Sequence, residues 1–200
     1  MFEALINQWQ QQSLLEVVAF LLSVAYVCLA AKQNIWCWLC AFVSTSIYVY
    51  LFYSVSLPFH SLLNAYYIVM AVVGFMSWRK GTKAEPLQVQ ALSFNQHAIV
   101  IALGAVLASI LSMFAGSWFD ASWLALDATI TVFSVFATLM TARKYIDNWY
   151  YWLVLNSAAC FLFVQKELYL TALLMIIYTF VAIYGLFEWR KSLKPAIINP

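Results

Sequence analysis

Apolar residues fall into seven long runs separated by short polar connections, at about 13–31, 35–53, 57–78, 97–116, 122–141, 149–164 and 168–189. Most approach the roughly 20 residues that a helix needs to cross a hydrocarbon core. The sixth is shorter. Inside each run the apolar character is continuous, without the alternation of a membrane barrel strand. The pattern predicts an all-α integral membrane protein with seven transmembrane helices. The connections are short except residues 79–96, RKGTKAEPLQVQALSFNQ, which hold Gly81, Pro86 and several charges and read as a loop.

The runs are not independent of one another. Shifting the first half of the chain by 111 residues lays it on the second half without a gap. Glu16 then meets Asp127, Ser23 meets Ser134, Lys32 meets Arg143, Trp38 meets Trp149, Tyr67 meets Tyr178 and Gly74 meets Gly185. Trp78-Arg79-Lys80 meets Trp189-Arg190-Lys191. Shared Leu and Ala are expected between any two apolar helices; one register shared by acids, serines, cations and tryptophans indicates duplication. The first three runs form one copy and the last three the other, with run four between them. The organisation is 3+1+3: residues 1–81 are the first repeat, 82–119 the linker and fourth helix, and 120–200 the second repeat with its tail. The first and fifth runs are an even number of crossings apart, so the repeats are parallel, related by an axis along the membrane normal.

Composition agrees with a membrane solvent. Hydrophobic residues are 66% of the chain and charged ones 9%, against roughly 25% charged in soluble domains. A net charge of +2 is too small to suggest nucleic acid. The cations carry topology instead. One side of the crossings holds Lys32, Arg79, Lys80, Lys83, Arg143, Lys144, Arg190, Lys191 and Lys194, while the other holds Lys166. The positive-inside rule makes the rich side cytoplasmic, with the N-terminus outside and the C-terminus inside. Trp38, Trp78, Trp149 and Trp189 adjoin those cations and are expected to form an inner aromatic belt. The polar start, MFEALINQWQQQS, lacks the basic region of a cleavable signal. Cys28, Cys37, Cys40 and Cys160 lie in apolar runs and read as buried small hydrophobes, with neither metal nor disulfide expected.

Polarity inside the bilayer marks function. Trp149, Trp152 and Asn156 share one face of run six. Asn64, Tyr67, Ala71 and Gly74 share a face of run three, and Met175, Tyr178, Ala182 and Gly185 share its counterpart in run seven. Small residues on these faces let helices approach, leaving the amide and phenols to a cavity. The expected substrate-binding residues are Asn64, Tyr67, Trp152, Asn156 and Tyr178, with Tyr48 nearby and Asp127 attracting a cation at the outer mouth. Gly74, Trp78, Gly185 and Trp189 are gate candidates. Glu16 reads as an interfacial acid and His60 as an ordinary polar contact. No catalytic set of acids, bases or metal ligands appears, so an enzyme is not expected. Run seven lacks the lysine that a retinal sensor needs. A purely structural membrane protein would leave amides on both inner faces unexplained.

The stretch Arg143-Lys144-Tyr145-Ile146-Asp147-Asn148-Trp149, then Trp152 and Asn156, with Asp127 and Ser134 upstream, resembles the PnuC family of bacterial vitamin transporters. Lys32-Gln33-Asn34-Ile35-Trp36, Leu168-Tyr169 and the two segments ending at Trp78 and Trp189 agree, and the likeness covers nearly the whole chain. The family is similar in architecture to SWEET sugar carriers. It implies facilitated uptake of a B-group vitamin across the cytoplasmic (inner) membrane. No cofactor is expected, and, with His60 isolated and the acids near the ends of the runs, no ion coupling. The resemblance also implies a functional link to a cytoplasmic vitamin kinase; a homo-oligomer is compatible with it. Nicotinamide riboside carriers of the family usually show Gln where Asn64 stands, and Asn near Ala71 and Tyr184. Fewer amides favour thiamine, with its single hydroxyl and fixed charge, as in the PnuT branch. Nicotinamide riboside is the alternative.

The cation count gives the first prediction. A Lys83→Cys variant is expected to react with impermeant reagents only from the cytoplasmic face. Labelling from outside in intact cells would reverse the topology.

Overall fold

The structure is a computed structural model that describes residues 13–54, 58–80, 87–117, 123–166 and 169–193. The domain boundaries at 81/82 and 119/120 lie outside the described residues, as do Leu57, Lys83, Leu168 and Lys194 and the side chain of His60. The described residues form helices α1 (Leu14–Ala31), α2 (Cys37–Ser54), α3 (Pro58–Lys80), α4 (Phe94–Gly116), α5 (Leu124–Ala142), α6 (Asn148–Gln165) and α7 (Tyr169–Ser192). Five of them, all but α2 and α6, are long and apolar enough to cross a membrane; α2 contributes the shorter apolar stretch Cys37–Leu51. Asn148, Asn156 and four interleaved Trp and Tyr residues make α6 less apolar than its neighbours.

Local chemistry sets the helix ends. Ser13 caps α1 in a reciprocal box: its backbone N–H donates to Glu16 Oε2 at 2.5 Å, and the Glu16 N–H donates to Ser13 Oγ at 3.3 Å. Glu16 is therefore a cap at the start of the span, in line with the interfacial role expected of it. Ser93 and Gln96 cap α4 in the same way, so that helix begins ahead of the apolar run that betrays it. The ends of α1 and α5 are copies of one turn. Gln33 and Lys144 sit at φ 54° and 56°, in the left-handed region. Behind them Asn34 N–H donates to Leu29 O, and Tyr145 N–H to Met140 O, each at 2.9 Å. These bonds close the helices as a glycine-type cap would, on side-chain-bearing residues. The strain at each is of order 1–2 kcal/mol.

The six repeat helices close a ring in the packing order α1, α2, α3, α5, α6, α7 and back to α1. The two junctions between repeats, α3 on α5 and α7 on α1, are equivalent under the duplication. Helix α4 packs mainly on α5, where Gly104 accepts the ring of Phe133. The chain ahead of it is pinned as well. Gln90 N–H donates to Lys144 O at 3.1 Å, and Ile146 N–H donates back to Gln90 O at 2.8 Å. Asp147 accepts the Leu92 N–H at 2.6 Å and lies 3.2 Å from His97 Nε2. His97 Nδ1 in turn lies 3.2 Å from the Tyr151 hydroxyl. The turn before α6 thus anchors the fourth helix to the second repeat.

Burial is inverted relative to a water-soluble bundle. Ala, Ser, Thr and Trp dominate the interior, while Leu, Ile, Val and Phe crowd the outer surface, as at Leu14, Leu62, Ile99 and Phe180. Lipid tails supply no hydrophobic force between helices, so close contact of small residues does the packing. The indole of Trp38 lies across Gly74, and that of Trp149 across Gly185. A Cβ at Gly185 would stand 2.6 Å from Trp149 Cζ2.

Adding that methyl should overpack the site. Gly185→Ala is expected to cost about 1–3 kcal/mol and to lower the melting temperature in detergent. Trp149→Leu in the same chain should recover part of the loss; no recovery would show that the contact is not the cause.

Candidate functional site

At the basic end of the bundle, four tryptophans form a chain across the repeat axis. Trp38 meets Trp78 edge to face at 5.4 Å, and Trp149 meets Trp189 likewise at 5.5 Å. Trp78 and Trp189, equivalent residues, touch across the axis at 6.0 Å. Each then bonds the opposite repeat: Trp78 Nε1–H donates to Thr141 O at 3.3 Å, and Trp189 Nε1–H donates to Ala30 O at 3.1 Å. Ala30 and Thr141 are equivalent residues too. All four rings are buried, at 4% exposure or less. The expected aromatic belt is therefore corrected: these rings fill the interior, because their glycine seats and cross-repeat acceptors lie there. The gate candidates Gly74, Trp78, Gly185 and Trp189 are brought together in this layer.

Beyond the tryptophans, Lys144 Nζ donates to Gln33 Oε1 at 3.1 Å and lies 4.8 Å over the Trp78 ring. These two residues are also equivalent, so the bond lies on the axis. Burial pushes the Lys144 ammonium below the usual lysine range.

One layer deeper, toward mid-membrane, the phenols converge. Tyr67 of α3 lies near Ser134 of α5. Tyr178 of α7 reaches Ser23 of α1, and Tyr48 of α2 joins the same serine. Tyr67–Ser134 and Tyr178–Ser23 are again one contact repeated, each crossing between repeats. Tyr26 lies beside both phenols. All three tyrosines are partly buried.

Helix α6 supplies the other wall. Trp152 is half-buried, and its Nε1–H donates to Thr141 Oγ1 at 3.4 Å. Thr141 in turn meets Asn148 Oδ1 at 3.2 Å, and Asn148 Nδ2 donates to Tyr145 O at 2.6 Å. The indole is thus held from behind by a polar chain. Asn156, one turn further, is 4% exposed and makes no hydrogen bond with another described residue. Its amide keeps some accessible surface, so a ligand or water can meet it.

Of the residues expected from sequence, Tyr67, Tyr178, Tyr48, Trp152 and Asn156 fall in or beside this region. Asn64 is half-buried on α3, one turn nearer the far end than Tyr67. Asp127 does not join them. It pairs with Lys166 at 3.7 Å, partly exposed at the far end of α5. That places its carboxylate apart from the phenols and Trp152. Most other intramembrane hydroxyls are spent on their own helix: Thr45 and Ser44 on Ala41 O, Ser46 on Phe42 O, Thr129 on Ala125 O and Ser157 on Leu153 O. Ser23 and Tyr26 were missed as site residues. Ser23 was legible as the partner of Ser134 in the duplication; Tyr26 has no counterpart phenol and gave no such signal. Two open apolar grooves, one between α4 and α5 and one between α1 and α2, contain none of the site residues.

The free amide separates stability from binding. Asn156→Leu is expected to leave the melting temperature unchanged or raised, since no internal bond is lost, while ligand affinity falls by about tenfold or more, roughly 1.4 kcal/mol. A variant that folds and binds normally would remove Asn156 from the site.

Comparison with known proteins completes the description. The profile of the "Nicotinamide mononucleotide transporter" family matches residues 13–191. A protein of Neisseria mucosa named "Nicotinamide riboside transporter PnuC" is 27% identical over 96% of this chain and 78% of its own length. Its Escherichia coli namesake is 32% identical over 34% of this chain and 28% of its own length. A solved structure titled "Crystal structure of the Vitamin B3 transporter PnuC" superposes with a TM-score of 0.74 at 25% identity, covering 96% of this chain and 86% of that one. With a family profile matched along almost its full length and the same fold, the chain belongs to the nicotinamide mononucleotide transporter family, that of the PnuC vitamin transporters.

Proposed function

We propose that this multi-pass membrane transporter carries nicotinamide riboside into the cell. The supporting observation is the composition of the enclosed region: phenols, serines and a free amide, with no Lys or Arg among the residues brought together there. A riboside combines a flat cationic ring with several hydroxyls. Aromatic faces suit the ring, and Ser23, Ser134 and Asn156 suit the hydroxyls. A mononucleotide would bring a phosphate dianion into a layer that offers it no cation. Thiamine, favoured on the amide count, is placed second. That count set aside the hydroxyls of Ser23, Ser134 and Tyr26. It also weighed Tyr184, whose side chain lies on the outer surface at 44% exposure. The relatives, too, bear the riboside's name.

Movement is by alternating access in a bacterial cytoplasmic membrane, N-terminus outside, with the vitamin gradient as the driving force and a cytoplasmic kinase completing capture. The tryptophan layer is the inner gate. Its bonds all cross between repeats, so rocking one repeat against the other would break them together. No ion coupling is invoked: the carboxylate of Asp127 has a lysine partner, and Asp147 is engaged in anchoring α4.

Counterflow in proteoliposomes tests this reading. Vesicles loaded with unlabelled nicotinamide riboside should take up the labelled compound with no ion gradient, and imposing a proton gradient should change nothing. Excess thiamine or the mononucleotide should compete weakly. Tight binding of thiamine with no exchange of the riboside would restore the thiamine reading. Gradient-driven accumulation above equilibrium would end the uniport reading.

A further inference from the structure

Because so many contacts obey the duplication, those that break it stand out. Tyr26 of α1 has Ala137 as its counterpart in α5, while Trp152 of α6 has Ala41 in α2. Each repeat therefore brings one large ring and one methyl to these positions, in opposite order. Behind the rings, Thr141 and Asn148 of the second repeat replace Ala30 and Cys37 of the first. Asn156 replaces Thr45, whose hydroxyl is already bonded to Ala41 O at 2.7 Å. The second repeat is polar where the first is apolar.

Tyr26 is the exception within the first repeat. Its ring leans on Trp38, at 6.0 Å and 52°, and its neighbours are Tyr67, Tyr178 and Cys37. Tyr67 and Tyr178 each lie near a serine, and the Tyr66 hydroxyl donates to Val135 O at 3.2 Å. The Tyr26 hydroxyl makes no hydrogen bond with another described residue. The Asn156 amide on the opposite repeat is in the same condition. Polar groups within a protein are normally paired, so an unpaired phenol on one repeat and an unpaired amide on the other are available to a ligand between the repeats.

We propose that Tyr26 contacts the substrate and fixes which way round it lies. This rests on the riboside reading given above. The flat pyridinium ring lies on the first-repeat side, where the counterpart positions are apolar and Tyr26 and Trp38 offer aromatic surface. The ribose lies on the second-repeat side with Asn156. The Tyr26 hydroxyl then meets the carboxamide on the pyridinium ring, and it is the group that selects for that substituent. A site built to bond a polar group discriminates against the analogue lacking it, because its own buried partner is left unmet.

The test compares nicotinamide riboside with the pyridinium riboside that lacks the carboxamide, by calorimetry on the purified full chain. The wild type should prefer the carboxamide by about tenfold or more. Tyr26→Phe keeps the ring and loses no internal bond, so it should fold. It should bind the two ribosides nearly equally, by weakening the carboxamide compound alone. Asn156→Leu should weaken both and keep the preference. Tyr26→Phe with an unchanged preference, in a wild type that does discriminate, overturns the orientation while leaving the riboside reading intact. A wild type that binds neither riboside overturns both.

Discussion

The seating of an indole on a glycine, made once in each repeat, is the contact on which the bundle depends. Trp38 on Gly74 and Trp149 on Gly185 draw the second and third helices of each repeat together. That approach carries Trp78 and Trp189 to the axis, where they touch each other and donate to the opposite repeat. A side chain at either glycine would displace the indole, and with it the ring chain that spans the axis. In hydrocarbon, where apolar side chains gain nothing by leaving the solvent, shape and a few interhelical hydrogen bonds must do the joining.

The same layer holds an unmet demand. Trp38 Nε1–H and Trp149 Nε1–H are buried and have no hydrogen-bond partner among the described residues. They are equivalent positions, so the deficit belongs to the repeat design. Two buried donors left unpaired cost on the order of 1–3 kcal/mol each. The Lys144–Gln33 bond and the ammonium above Trp78 act the other way, closing the axis at its basic end.

Pseudo-symmetry and its breach have separate roles. The symmetric contacts, Trp to carbonyl and Tyr to Ser, join the repeats and would open as a set. The unsymmetric residues, Tyr26, Trp152, Thr141, Asn148 and Asn156, make the enclosed space differ from one side to the other. A ligand that is itself unsymmetric needs such a difference to bind in one orientation.

The sequence by itself determined the class, the seven helices, the 3+1+3 order and the internal repeat, because hydrophobic run length and a fixed register survive in one dimension. It also pointed to Tyr67, Tyr178, Trp152 and Asn156, since polar groups in apolar runs are conspicuous. It misplaced the tryptophans, because a ring beside a lysine looks the same whether it faces lipid or a glycine, and it did not show that Asp127 pairs with a lysine from the end of the next helix. Tertiary structure alone decided that α4 stands outside the ring, that Asp147 anchors it, and that Ser23 and Ser134 lie beside phenols of the opposite repeat. Tyr26 shows the limit most plainly. Within α1 it is one aromatic residue among apolar ones, and only the paths of the neighbouring helices leave its hydroxyl without a partner.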